Sequence, residues 1–292
     1  MDSGETAGED GPTLADRLEQ GELVSYPVCP FALLDSEHLR FLRSQQLKHP
    51  SLQSISFDPT GGLVSGHRHR ARGDTERLAG LLRSFSDTAT GWLANQLPEY
   101  AGRWTRDRVT LRTEEEAIRS LRNNDVLHID NFPDRPSHGR RILRLYLNIN
   151  PTEPRVWQTS EKFAELLARY QSRHRVPVRD EADWCEPLSG LQRLLQRDWS
   201  GRPAYDAFML AMQQQLRSDD GFQEKSQRRL WNFTPASVWV LFSDGLSHAV
   251  LRGQFALEHS YFVPQSALVR PELSPLRQLV EAGQAGRLKR AA

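Results

Sequence analysis

The chain reads as an α+β protein with a β core, an N-terminal helical layer and a helical insertion between two groups of strands. Three observations predict this class. Apolar residues recur at helical spacing through "LLDSEHLRFLRSQQL" (33–47) and "DTERLAGLLRSFSDTATGWLANQLPEY" (74–100). The pattern then changes to strand-like runs rich in β-branched and aromatic residues, "DVLHIDNF", "RRILRLYLNIN", "SVWVLFSD" and "SHAVLRGQFALEHSYFVP". Between the two pairs of runs, helical periodicity returns in "EKFAELLARYQSR" and "YDAFMLAMQQQLRSD".

Each element has its own signals. Residues 1–12 are Gly- and acid-rich and are expected to be a disordered tail, leaving 13–292 as one domain. "LADRLEQ" can open a helix at residue 14. Asp35 or Ser36 can cap the helix of 33–47. "SISFDPTGGLVSG" alternates and then turns at Gly61-Gly62, predicting a short strand and a loop. Asp74 is the expected cap and Pro98 the stop of the long helix. The insertion is expected over about 160–230, and "SPLRQLVEAGQAGRLKRAA" reads as a closing helix with a basic tail.

The totals exclude some functions. A formal net charge of +1 over 292 residues gives no bulk basic character for nucleic acid. Of 38 cationic residues only Lys48, Lys162, Lys225 and Lys289 are lysines. A GC-rich genome gives that bias, and so does an anionic partner, because the Arg fork pairs bidentately with carboxylate and phosphate. Cys29 and Cys185 have no spacing that implies a disulfide framework. The N-terminus lacks an apolar signal-peptide core, and no apolar run approaches the ~18 residues of a membrane span, so a cytoplasmic location is expected.

Side chains alternate across a strand. In "RRILRLYLNIN", Leu143, Leu145, Leu147 and Ile149 share one face, and Ile142, Arg144, Tyr146 and Asn148 share the other. The polar face belongs either to a half-exposed edge strand or to the lining of a binding cavity. His128 and Asp130, two apart, project together and leave Ile129 for packing. Alone, H-x-D is a weak signal, since histidine mostly serves packing or surface roles. His248, after the Asp244-Gly245 turn, adds a further imidazole on a late strand. That chain order is the one a double-stranded β-helix (a jelly-roll, cupin-like core) uses for a facial site of two His and one carboxylate. Such a site leaves positions open for a co-substrate and O2 at a non-haem Fe(II). His259 and His138 compete for the third place. His67 and His69 form an H-x-H in the Arg-rich "GHRHRARG", read as a solvated or anion-facing loop. His38, His49 and His174 are read as structural or surface residues.

The residues that carry a resemblance are Leu127-His128, Asp130, Phe132, Gly139, Arg141-Ile142-Leu143-Arg144, Asn148-Ile149-Asn150-Pro151, Arg155 with Trp157, Ser247-His248-Ala249, Gly253-Gln254 and Ala256-Leu257-Glu258. In these two blocks, about 60 residues, the chain resembles the 3-deoxy-D-manno-oct-2-ulosonic acid (Kdo) hydroxylase family of Fe(II)- and 2-oxoglutarate-dependent dioxygenases. His259 departs from the pattern, which has Gln there.

The resemblance implies hydroxylation of Kdo at C3, giving the octulosonic acid Ko, in the lipopolysaccharide inner core (Kdo-lipid A). It implies Fe(II), 2-oxoglutarate and O2, with ascorbate as a candidate reductant, and His128, Asp130 and His248 as metal ligands. No Arg lies near Glu258-His259-Ser260, and Arg252 falls only four residues beyond His248. Arg144 is therefore the expected anchor of the distal 2-oxoglutarate carboxylate, with Tyr146 and Asn148 lining the site and Arg155 as the second choice. Arg135, Arg140, Arg141 and "GHRHRARG" are candidates for anionic groups of the lipid-linked substrate. That substrate implies peripheral work at the cytoplasmic face of the inner membrane. The alternatives are an oxygenase of this chemistry acting on another sugar acid or a protein side chain, and a metal- or carbohydrate-binding β-helix without turnover.

Overall fold

The alternation read in "RILRLYLN" divides the molecule into its layers. The computed structural model describes residues 11–69, 71–113, 125–186 and 202–291. Most of the tail expected to be disordered, and the part of the insertion at 187–201, lie outside the described residues. Strands β1 (Val24–Tyr26), β2 (Ile55–Phe57), β3 (Val64–Ser65), β4 (Thr105–Arg112), β5 (Arg141–Asn148), β8 (Val238–Phe242) and β10 (Ala256–Val263) form an antiparallel sheet in the order β1-β8-β5-β10-β4-β2-β3. Strands β6 (Arg155–Lys162), β7 (Arg229–Phe233) and β9 (Leu246–Arg252) form a smaller sheet in the order β7-β6-β9. The two sheets make the double-stranded β-helix.

Leu143, Leu145 and Leu147 of β5 face outward from the sandwich. They join Val240, Phe242 and Leu257 in a core closed by α3 (Asp74–Gln96), through Leu78, Leu82, Phe85, Ala89 and Leu93. This is the N-terminal helical layer, to which α1 (Leu14–Glu19) and α2 (Ser36–Ser44) belong. Each fully buried Leu, Val or Phe of this core contributes ~1.5–3 kcal/mol from removal of its surface from water. The opposite face packs between the sheets, where Tyr146, Trp239 and Leu241 meet Trp157, Phe233, Leu246 and Val250. Tyr146 stacks on Trp239 at 5.2 Å, and Phe233 stacks on Trp239 at 3.9 Å.

The insertion supplies α4 (Phe163–Gln171), α5 (Glu181–Cys185), α6 (Ala204–Ser218) and α7 (Asp220–Lys225), and the chain closes with α8 (Pro275–Ala291). Their apolar faces form a third core with Leu127, Ile129 and Ala249. Ile129 is thus packed away from its neighbours His128 and Asp130, as the alternation requires.

Several expectations change. "DVLHIDNF" is not a ladder strand; it makes one β-bridge, His128 to His248. The strands β4, β6 and β7 were not expected, and β6 runs to Lys162, into the stretch read as helical. Asp35, not Ser36, caps α2, accepting from the His38 amide at 2.8 Å. Gly73, with φ +86°, is the N-cap of α3, and Asp74 is its first helical residue. His67 is not solvated: its ring lies buried between Gln45 Oε1 (2.9 Å) and Thr75 Oγ1 (3.2 Å).

His259 points from β10 into the outer core, with Nε2 2.8 Å from Ser86 Oγ of α3. Burial pushes its pKa down to about 3, against about 6.5 in an unfolded chain. The unfolded state therefore binds the extra proton between those values, and stability falls as pH drops below about 6.5. One such group contributes up to ~1.4 kcal/mol per pH unit in that window. His259→Gln is expected to flatten the fall in melting temperature between pH 7 and pH 5. Melting curves with an unchanged slope would refute this.

Candidate metal centre

His128 and His248 are brought together by their own backbones. The His128 amide donates to the His248 carbonyl at 3.0 Å, and the His248 amide returns a bond to His128 at 2.8 Å. The Asp130 amide donates to the Ser243 carbonyl at 2.9 Å. One extended residue pair and one further anchor thus hold the three side chains on one side of the segment. His128 Nε2 lies 3.9 Å from Asp130 Oδ1, and His248 Nε2 lies 3.8 Å from Asp130 Oδ2. One ligand atom from each residue falls within 4.8 Å of the others, and all three residues are buried.

The ring orientations follow from carbonyl partners. His128 Nδ1 is 2.8 Å from the Val126 carbonyl, and His248 Nδ1 is 3.0 Å from the Leu246 carbonyl. A carbonyl only accepts, so each Nδ1 carries the proton and each Nε2 turns a lone pair toward Asp130. Burial keeps both rings neutral, with His128 pushed down to about 3. Trp157 stacks on His248 at 5.3 Å, with 13° between the planes, and fixes the ring further. Burial alone would raise the Asp130 pKa, but Arg144 and then the two imidazoles hold it well below the usual carboxylate range. Two neutral imidazole nitrogens and one carboxylate on one side are the donor set of a facial 2-His-1-carboxylate site, and they fit an Fe(II) ion.

Arg144 joins this centre to the floor of a cavity. Its Nη1 donates to Asp130 Oδ2 at 2.6 Å and its Nη2 to Glu258 Oε2 at 2.5 Å. Glu258 also accepts from Arg112 Nε at 2.9 Å and Thr110 Oγ1 at 2.8 Å. Against its burial, Arg112 and Arg144 pull the Glu258 pKa down to about 2. Arg112, Glu258 and Arg144 stand on the neighbouring strands β4, β10 and β5. The cavity above them is about 400 Å³ and is lined by the three candidate ligands, Arg144, Tyr146, Trp157 and Glu258, with Arg108, Arg112, Arg135 and Arg217 among its cations.

The expected residues therefore divide. His128, Asp130, His248, Arg144 and Tyr146 converge on one cavity, and Asn148 and Arg155 do not line it. Asn148 holds the turn after β5, donating to the Glu153 and Phe233 carbonyls and accepting from the Asn150 amide at 2.9 Å. Arg155 donates from Nη1 to the Gly253 carbonyl at 2.9 Å. Its stem fills the space a side chain at residue 253 would need, which Gly253 leaves open with φ +135°. His259 faces α3 and takes no part. His138 sits in a loop with φ 55°, outside the cavity lining. Arg112, Arg108 and Thr110 were missed, although alternation in "TRDRVTLR" puts all three on one strand face. Arg217 and Gln213, on the insertion, had no local signal.

No described helix is long and apolar enough to cross a membrane. No curated protein sequence matches the chain. Crystal structures of the Kdo hydroxylase KdoO, described as a non-haem Fe(II) α-ketoglutarate-dependent dioxygenase, are similar to it. The complex with succinate and Fe(III) is 31% identical with a TM-score of 0.76, covering 91% of this chain and 87% of that one. The apo form is 31% identical with a TM-score of 0.77 over the same shares. The complex with α-ketoglutarate and Fe(III) is 30% identical with a TM-score of 0.76, again over 91% and 87%. The model of the family described as 3-deoxy-D-manno-oct-2-ulosonic acid (Kdo) hydroxylase matches residues 2–286. With the family model spanning nearly the whole sequence and the solved relatives sharing its fold, the chain belongs to the Kdo hydroxylase family.

Proposed function

We propose that the protein hydroxylates Kdo at C3, consuming 2-oxoglutarate and O2 and releasing succinate and CO2. The observation that carries this reading is the buried His128–Asp130–His248 cluster opening on an arginine-lined cavity, in a member of this family. When bound, Fe(II) with 2-oxoglutarate and O2 supplies the oxidising power that replaces a C–H bond by C–OH. The protein's residues do the rest. His128, Asp130 and His248 hold the metal from one side and leave the other side to the cavity. Arg144, with Arg112 beside it, holds the distal carboxylate of 2-oxoglutarate. Arg144 Nε is buried with no hydrogen-bond partner, a donor that a carboxylate would satisfy. Tyr146 lies under the guanidinium, its ring 4.9 Å away, and keeps it in place. Trp157 and Tyr146 close the wall between the sheets and exclude water from the reacting carbon.

The substrate we favour is Kdo attached to lipid A, which places the work at the cytoplasmic face of the inner membrane by peripheral contact. Cosedimentation with vesicles that contain anionic lipid tests the contact; protein left wholly in the supernatant rejects it.

Asp130→Ala is expected to lose iron, measured as metal content after desalting, while His259→Gln keeps it. Retained iron in the Asp130 variant would exclude the cluster as the metal site. In the wild type, Kdo-lipid A should stimulate succinate release from 2-oxoglutarate with Fe(II) and yield a product one oxygen atom heavier. Turnover that ignores Kdo-lipid A would point to another substrate. In the same assay Arg144→Lys should raise the KM for 2-oxoglutarate about tenfold or more, the loss of one charge-assisted bond of ~1.5–3 kcal/mol; an unchanged KM would remove Arg144 from that role.

A further inference from the structure

The arginines around the cavity are almost all neutralised by the protein itself. Arg112 and Arg144 pair with Glu258 and Asp130. Arg108 pairs with Asp134 at 2.9 Å, and Arg135 pairs with Asp107. Arg217, also in the lining, has no carboxylate partner among the described residues, and its Nε is buried without a hydrogen bond. Burial lowers its pKa, which means that the guanidinium is held partly out of water at a cost. A desolvated cation in the lining of a cavity, with no ion-pair partner among the described residues, is suited to an anionic ligand.

Its position is fixed. Arg217 stands one turn beyond Gln213 on α6, so the two share a helix face. Gln213 Nε2 donates to the Ile129 carbonyl at 2.7 Å, between the two ligands of the H-x-D. The face that carries Arg217 is thereby docked over the metal-ligand segment. Its positive charge acts on His128, Asp130 and His248.

Two groups of guanidinium donors therefore line one cavity. One is strand-borne, Arg112 and Arg144 on the sheet floor. The other is helix-borne, Arg217 on the insertion. The proposed reaction needs two anions, the 2-oxoglutarate tail and the carboxylate of the sugar acid. In Kdo the carboxylate is C1 and the carbon attacked is C3, so one carbon separates them. The group that holds that carboxylate must stand close to the metal ligands, where Arg217 is.

We propose that Arg217 is a specificity-determining residue that binds the substrate's carboxylate and so places C3, the next carbon but one, at the metal site. This rests on the sugar-acid reading above. The test compares Kdo-lipid A with its C1 carboxamide in wild type, Arg217→Met and Arg217→Lys. Wild type should prefer the carboxylate by about tenfold or more in kcat/KM, as expected for a charge-assisted bond of ~1.5–3 kcal/mol. Arg217→Met should lose that preference, falling below about threefold, and Arg217→Lys should restore part of it. A purely structural Arg217 would lower both rates and leave their ratio intact. If turnover by Arg217→Met is too slow, or the variant fails to fold, the same ratio is read from dissociation constants, measured without O2, for wild type and Arg217→Gln. A preference kept in the Met or Gln variant overturns the assignment, and so does a kept preference with a raised KM for 2-oxoglutarate. Wild type inert on both compounds rejects the sugar-acid reading, and this one with it.

Discussion

The buried salt bridge between Arg144 and Asp130 is the interaction on which the rest of the site depends. A carboxylate ligand must be ionised before a metal arrives, yet burial raises the cost of that charge. Arg144 offsets the cost from 2.6 Å. Arg144 is itself only 7% exposed, so its own charge needs a second anion. Glu258 provides it, and Glu258 is balanced in turn by Arg112. The chain of charges runs across β5, β10 and β4, and it works only in the observed register, with Glu258 opposite both Tyr146 and Thr110. Removing one member would leave an uncompensated buried charge, a loss of ~3–5 kcal/mol. Sheet register and metal chemistry are therefore one constraint.

The same logic explains the insertion. The His128–Asp130 segment pairs with β9 at only one residue, so most of its backbone groups lack a ladder partner. Buried peptide groups must still be satisfied. Gln223 of α7 donates to the Leu127 carbonyl and accepts from the Leu127 amide, both at 2.9 Å. Gln213 of α6 donates to the Ile129 carbonyl. Two side-chain amides thus stand in for a neighbouring strand, and Leu127 and Ile129 are buried in the helical core beneath. The insertion separates the ligand strands in sequence but is a structural part of the ligand segment in space.

Much of this was legible in the sequence, and the rest was not for definite reasons. Alternation in "RILRLYLN" gave both faces of β5 correctly, because every second residue is Leu. Alternation assigns a face but not a depth. Asn148 is on the same face as Arg144, yet at the strand end it serves the turn. Strand β4 was overlooked because only Val109 and Leu111 are buried, and its other face is spent on Arg108, Thr110 and Arg112. Those polar residues belong to the cavity, so the signal that hides the strand is the one that would have revealed the site. His259 offered a rival ligand on spacing alone. It is excluded because a strand shows Glu258 and its neighbour to opposite sides.

The polar atoms left without protein partners carry the remaining information. Among the described residues Arg135 Nε, Arg144 Nε, Arg217 Nε, Trp157 Nε1 and Asn131 Oδ1 are buried without a hydrogen-bond partner, and all five residues line this cavity. Each such group costs ~1–3 kcal/mol if nothing completes it. Four are donors and one is an acceptor, and three of the donors are cationic. The ligands that complete this set must be anionic, and one of them must offer a hydroxyl-type donor. 2-Oxoglutarate would complete Arg144 Nε but has no hydroxyl for Asn131 Oδ1, whereas a sugar acid carries both a carboxylate and hydroxyls for the others. The unsatisfied atoms thus favour the substrate class that the family membership names, and they do so from this chain's own chemistry.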